Sequence, residues 1–308
     1  MDLLLVGGNR SGLLREHQKA TLAELKPVGG EFDISEIVRQ ALEAVSGKTL
    51  EESLFALAFR VAQPPDYEKL REQAQTHFRD FPLSNLFSGI QMDSSGRIIA
   101  RRAAGLAGEP GEREVAEWQE ILRIASMQHN VVAQGVIEPI RGSLCTFHNI
   151  LERDLLAYCL NNPFIAEGQE LLFARGLYAG MTGDFPSAMA LLIPQLENSL
   201  RYILKQQGVE TTSLNEHGIQ EEMHLGSILD HEVCQKALGK NDVYDLRGLL
   251  IERTYGNLRN RVAHGLMSTG EFFQAAPVYL WWLSLRYVLH TPFRKASDDN
   301  GVAPEGVS

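Results

Sequence analysis

Near its C-terminal end the chain runs Asn257-Leu258-Arg259-Asn260-Arg261-Val262-Ala263-His264-Gly265. Arg259, Asn260 and His264 form an Arg-Asn-x-x-x-His pattern, which gathers a guanidinium, a carboxamide and an imidazole in a short stretch. Asn260 and His264 are four apart, so a helix puts them on one face, and Arg261 flanks that face three before His264. Arg259 is five before His264, roughly 140° around an ideal helix. Its side chain must curl back, or serve a site completed by another element or subunit.

These groups suit RNA cleavage. RNA carries its own nucleophile, the 2′-hydroxyl. An imidazole titrates near neutral pH and can take or give a proton during attack on the neighbouring phosphate. A guanidinium can stabilise the charge of the phosphorane-like transition state through two parallel hydrogen bonds. Asn260 can orient the histidine or hold a phosphate oxygen. This chemistry asks for no metal and no cofactor. The same residue types also serve ordinary helices as caps, turns and ion pairs.

Other polar groups carry weaker signals. Arg247, Arg253, Arg259 and Arg261 make a locally basic run, which Arg201 and Lys205 can join across a bundle. It reads as ordinary surface charge or as the phosphate patch that an acidic ribonuclease still needs. His217, Glu221 and His224 have a helical-face spacing that fits metal ligands, but Gly218 and Gly226 weaken the helix, and a solvated polar face is the expectation. Val6-Gly7-Gly8-Asn9-Arg10-Ser11-Gly12 lacks the Gly-Lys-Ser/Thr ending of a phosphate-binding loop and reads as a flexible terminus. Cys145, Cys159 and Cys234 form no CxxC and read as buried, reduced thiols. Arg101-Arg102 is too short for a targeting or nucleic-acid signal.

Composition bounds the rest. The chain has 308 residues, 44% of them hydrophobic, enough for a substantial core, and 22% charged, near the globular average. Its net charge of −10 excludes binding nucleic acid by bulk electrostatics. Contact with RNA would need a local basic patch. Leu3-Leu4-Leu5-Val6 is too short for a signal segment, and Ala275–Leu285 too short for a membrane span, so a cytoplasmic protein is expected.

The elements that position these residues read as helices. Residues 1–85 form an expected N-terminal helical region: Leu13–Lys26, a helix capped by Asp33 and ending at Val45, Leu50–Ala62 opened by a Thr49/Glu52 capping box, and Asp66–Arg79. Residues 86–111 read as a hairpin and linker, with Ile90–Met92 pairing Arg97–Ala100 around the turn Asp93-Ser94-Ser95-Gly96. Residues 112–292 read as a helical domain with its core at about 151–292. Its helices are Glu112–Val131, Cys145–Leu160, Glu167–Met181, a long one from an Asp184 cap to Gln207, two across His217–Leu238, Asp242–Tyr255 and Leu258–Met267. A last helix, opened by Ser268 and Glu271, runs through Leu289. There Tyr279, Trp281 and Trp282 are expected in core or dimer packing. Residues 293–308 read as a disordered tail. The expected class is all-α.

In the long helix stands Pro194-Gln195-Leu196-Glu197-Asn198-Ser199-Leu200-Arg201, with Glu197 and Arg201 four apart. With the Arg-Asn-x-x-x-His segment it resembles the HEPN superfamily of helical nucleotide-binding domains. From about Leu151 to Met267 it is similar to a largely bacterial HEPN-like family. There a Pro-Gln-Leu-Glu-x-x-Leu-Arg helix precedes an Asn-Leu-Arg-Asn-x-x-Ala-His-Gly segment. The resemblance implies a helical bundle that forms homodimers and, in nuclease members, a metal-independent endoribonuclease used in antiviral defence or as a toxin. It makes Arg259 and His264 catalytic and Asn260 supporting. Glu197, Arg201 and Arg261 become supporting or phosphate-binding residues. RNA is then the expected partner, with no membrane, and the N-terminal region is free for a protein partner or regulator. Some HEPN members bind nucleotide, RNA or protein without cleaving, which is the alternative function.

Overall fold

The computed structural model describes residues 33–81, 89–92, 98–102, 110–214 and 218–290. Its fold is all-α. In chain order, α1 is Ser35–Val45, α2 Leu50–Ala56, α3 Tyr67–Asp80, α4 Pro110–Val132, α5 Glu138–Phe147, α6 Glu152–Cys159 and α7 Glu170–Met181. Then come α8 Phe185–Gln206, α9 Leu225–Asp230, α10 Glu232–Leu238, α11 Lys240–Leu250, α12 Leu258–Ala263 and α13 Ala275–Leu289. Two antiparallel hairpins complete the described elements: β1 (Gly89–Met92) with β2 (Ile98–Arg102), and β3 (Thr212–Leu214) with β4 (Gln220–Glu222). No helix among the described residues is long and apolar enough to cross a membrane.

The chain divides into two compact units. One takes in Glu68–Ile124, and the other joins Ile34–Tyr67 to the chain from Ala125 onward. This division differs from the expected one, because residues 34–67 belong with the C-terminal bundle. The reason is in the backbone. Helix α2 widens into a π turn at Leu57–Val61, and a π turn leaves carbonyls out of the ordinary ladder. Trp282 Nε1 of α13 donates to Leu57 O at 2.9 Å, and Arg286 Nη1 donates to Ala58 O at 2.6 Å. In the smaller unit, Leu70 and Ala74 of α3 and Ile121 and Leu122 of α4 are buried. Arg71 Nε and Gln75 Nε2 both donate to Glu117 Oε1 at 2.9 Å.

In the larger unit α13 is the central element. Residues Val278 to Leu285 are all buried, as expected of a helix that is apolar all round. Trp281 lies over Gly180 of α7 and donates to Leu177 O at 2.9 Å. The expectation of core packing for Tyr279, Trp281 and Trp282 holds. Helix α8 starts where Asp184 accepts from Ser187 N, and it carries Pro194 in its interior. That proline removes one ladder bond, but buried Leu192, Ile193, Leu196 and Leu200 hold the helix through it.

Several local expectations change. The Thr49/Glu52 box is present, but the cap of α1 is Ile34 rather than Asp33. The expected helix Cys145–Leu160 is two helices. Helix α4 continues through a second π turn, Ala133–Ile137, into α5, and the chain breaks after Phe147 before α6. Pro139 does not stop it, because the π turn directly before it already leaves carbonyls out of the ordinary ladder. The Ser268/Glu271 box opens a short 3₁₀ turn, Thr269–Phe273, ahead of α13. Cys159 and Cys234 are buried, but Cys145 is exposed, with Sγ donating to Met181 O at 3.1 Å. The expected Leu13–Lys26 helix, the glycine-rich start, the Asp93–Gly96 turn and the 293–308 tail lie outside the described residues.

Candidate functional site

The Arg-Asn-x-x-x-His segment sits on α12, a helix of only six residues. So short a helix cannot hold itself. Its start is fixed by the loop before it. Gly256 N donates to Gly248 O at 3.1 Å, and Gly256 is pressed so close to Leu249 that a Cβ there would lie 2.3 Å from the Leu249 carbonyl oxygen. Asn257 then takes a left-handed conformation (φ 44°, ψ 31°) that turns the chain into α12, a geometry asparagine tolerates better than most residues. Leu258, the first helical residue, is fully buried. Burying one leucine is worth about 2 kcal/mol, which pins this turn to the core.

Arg259 follows and points along the surface towards α8. Its Nε lies 3.4 Å from Glu197 Oε2, and its side chain is 48% exposed against 16% for Glu197. The other oxygen of Glu197 receives Arg201 Nη2 at 3.0 Å. Arg201 also reaches Glu222 Oε2 at 3.1 Å and donates to Met223 O at 3.3 Å, which ties β4 to α8. Lys205 Nζ pairs with Glu222 Oε1 at 3.4 Å. A ladder of alternating charges therefore runs from α12 across α8 to β4. Glu197 is its crossing point.

His264 is the C-cap of α12, outside the helix proper, with φ −101° and ψ 7°. Its backbone N–H donates to Asn260 O at 3.1 Å, so the two residues are one turn apart. Its imidazole is exposed and has no partner among the described residues. Arg261 does something different. It pairs with Glu271, the residue that closes the Ser268 capping box. Burial pushes the Glu271 carboxyl up, but bonds from the Ser268 N–H and hydroxyl and from Arg261 outweigh it and hold the group below its ordinary range. Arg261 is thus committed to anchoring the segment after α12, and Arg201 to anchoring β4. Both are ion-paired within the chain.

Beside α12 lies a groove of about 280 Å³. Arg259 and Asn260 line it with Asn257, Arg253 and His224, over an apolar wall that includes Leu250 and Ile251. His264, Arg261 and Lys205 are not part of this lining. The structure brings Arg259 and Asn260 together in one groove and leaves His264 at the far end of the same helix.

The spacing of His217, Glu221 and His224 does not form a helical face. Glu221 is in β4 and His224 precedes α9, while His217 lies outside the described residues. Among the described residues no cluster of three histidine, cysteine or acidic side chains is arranged to hold a metal ion.

One polar cluster has no sequence signal. His129 of α4 is 1% exposed. Its Nδ1 is 2.7 Å from Tyr255 Oη, its Nε2 is 3.1 Å from Asp245 Oδ1, and its ring stacks on Tyr279 at 3.8 Å. Tyr279 Oη donates to the other oxygen of Asp245 at 2.9 Å. Tyr255 directly precedes Gly256 and Asn257, so this buried network fixes the loop from which α12 starts. Of the other groove residues, Arg253 stands in the basic run that reads as surface charge or a phosphate patch, and His224 carries no sequence signal for this groove. Set beside protein families, curated proteins and solved structures, the chain matches none of them.

Proposed function

We propose that the Arg259–His264 segment is the active site of a metal-independent, HEPN-type endoribonuclease, acting as a homodimer in antiviral defence or as a regulated toxin. In this reading His264 moves the proton, taking it from the 2′-hydroxyl or giving it to the leaving oxygen. Arg259 holds the phosphate oxygens as charge builds in the transition state. Asn260 supports the phosphate or the imidazole. Glu197 keeps Arg259 aimed, and Arg201 and Arg261 hold the flanking elements in place.

The observation that carries this reading is the contrast between two histidines. His129 is buried against fixed partners, as a structural histidine is. His264 is exposed and unpartnered among the described residues, capping the short helix that carries a half-exposed arginine held by one carboxylate. The homodimer belongs to the proposal because Arg259 and His264 lie five residues apart and do not share a groove within one chain. A second copy can complete the constellation.

RNA cleavage by the purified protein in excess EDTA tests the reading, with Arg259→Ala and His264→Ala checked for unchanged circular dichroism. Loss of cleavage in both variants supports it, and metal-dependent cleavage untouched by either substitution refutes it.

A second reading is a binding module that never cleaves. It is favoured by the groove itself, which collects Arg259 and Asn260 without His264. Under that reading Arg259→Ala weakens binding and His264→Ala changes nothing.

A further inference from the structure

The groove beside α12 holds more polar groups than the Arg-Asn-x-x-x-His motif supplies. Arg253 comes from the loop after α11, His224 from the residue before α9, and Asn257 from the left-handed turn. All three line the same cavity as Arg259 and Asn260. Arg253 and His224 are exposed, and Asn257 is partly so. Neither Arg253 nor His224 has a carboxylate partner among the described residues.

That matters because of how this acidic chain treats its other cations near the site. Arg201 sits between Glu197 and Glu222, Lys205 on Glu222, Arg247 on Asp230 and Arg261 on Glu271. Arg259 spends only its Nε on Glu197, which leaves its terminal nitrogens for the groove. In a chain of net charge −10, two guanidiniums facing one cavity make a local positive site, and the imidazole adds a hydrogen-bonding group. The anion they fit is a phosphate, which arginine grips with a planar fork of donors.

Size and wall narrow the ligand further. About 280 Å³ is at the small end of ligand pockets. It is enough for one phosphate with its sugar, and the cavity opens to solvent, so a strand can continue past it. Leu250 and Ile251 offer an apolar surface to a sugar or base, and the Asn257 and Asn260 carboxamides can donate to phosphate oxygens or to a base edge. Bases accessible for such contacts are those of single strands rather than duplexes.

We propose that this groove is a phosphate-binding subsite for single-stranded RNA, in which Arg253 and His224 join Arg259 on one backbone phosphate. The inference deepens the ribonuclease reading, because it gives Arg259 a phosphate and adds two residues that the motif does not contain. Arg253 and His224 act here in binding rather than in proton transfer.

The test separates binding from cleavage. The probe is a fluorescein-labelled 2′-O-methyl oligouridylate, which cannot be cleaved because its nucleophile is blocked. Its affinity is measured against salt concentration for the full chain, for Arg253→Gln and His224→Gln, and for Lys236→Gln as a surface control. Lys236 pairs with Glu232 on α10, outside the groove lining. The expected result is a roughly tenfold weaker affinity for Arg253→Gln, with the salt slope reduced by about one, a smaller loss for His224→Gln, and no change for the control. If the wild-type chain fails to bind the probe, or if both groove variants bind it like wild type, the subsite is overturned. Cleavage of the unmodified oligouridylate in parallel reports on the ribonuclease reading by itself. A chain that cleaves with unaltered affinity in both variants keeps the active site and loses the subsite. A chain that binds through Arg253 and never cleaves keeps the subsite and loses the nuclease.

Discussion

Arg259 and Glu197 meet at 3.4 Å across the boundary between α12 and α8, and the second oxygen of the same carboxylate holds Arg201. One side chain therefore aims the exposed guanidinium and anchors a largely buried one. Glu197→Gln is expected to lower the unfolding free energy by about 1–2 kcal/mol, because Arg201 keeps Glu222 but loses its nearer carboxylate. Cleavage should fall with it, as Arg259 loses its holder. Urea denaturation and a cleavage assay on the same variant check this. Unchanged stability would show that the carboxylate carries no weight.

The buried His129 cluster makes a separate stability prediction. Tyr255→Phe removes the phenol 2.7 Å from His129 Nδ1 and leaves a buried ring nitrogen without its partner. The expected loss is about 1–3 kcal/mol. Asp245→Ala removes the acceptor of the buried Tyr279 hydroxyl and the carboxylate 3.1 Å from His129 Nε2, leaves a cavity as well, and should cost more, about 3–5 kcal/mol. Urea midpoints rank the two variants, and the reverse order would contradict the network.

Gly256→Ala should be costly and Gly270→Ala should not. A Cβ at Gly256 would meet backbone, the Leu249 carbonyl oxygen, which cannot swing aside. The loop that launches α12 must then shift, at about 1–3 kcal/mol, with loss of RNA binding. A Cβ at Gly270 meets nothing within 4 Å, so alanine is expected to be neutral there. Thermal melts of the pair decide it.

Asp242 gives the fold a pH signature. Burial pushes its carboxyl up to about 7, with Asp245 adding to the rise and Arg286 opposing it. The folded chain holds a proton that the unfolded chain, with an ordinary carboxyl near 3.8, has released. Its contribution to stability is complete below about pH 4 and is lost as pH rises through about 7. Asp242→Asn removes this dependence. Between pH 5 and pH 8 the wild-type urea midpoint should fall further than that of the variant. A wild-type midpoint that falls no further than the variant's would contradict the assignment.

Helices with a complete local signal were legible from sequence. Asp184 before Phe185, and Thr49 with Glu52, mark starts that depend on neighbours alone. The breaks were not. Nothing local reveals that α4 widens at Ala133–Ile137 or that the chain pauses after Phe147, whereas α12 ends on a local signal, the left-handed Gly265 just past the His264 cap. The first two outcomes depend on packing against residues far along the chain. The site divides in the same way. Arg259, Asn260 and His264 announce themselves by spacing. His129 finds Tyr255 from 126 residues away, and Arg253 and His224 reach the groove from two other segments. The motif could not say that Arg261 and Arg201 are already spoken for by Glu271 and Glu222, because paired and free arginines look alike in sequence.

In the proposed reaction His264 assists attack by the 2′-hydroxyl, and the chemistry of the product ends tests that step. The full chain and His264→Ala are incubated in EDTA with an RNA oligonucleotide and with its 2′-O-methyl counterpart, and the product ends are read by mass spectrometry. The wild-type chain alone is expected to leave 2′,3′-cyclic phosphate ends on the RNA and to leave the 2′-O-methyl strand intact. Cleavage of the 2′-O-methyl strand, or RNA cleavage by His264→Ala at the wild-type rate, would contradict it.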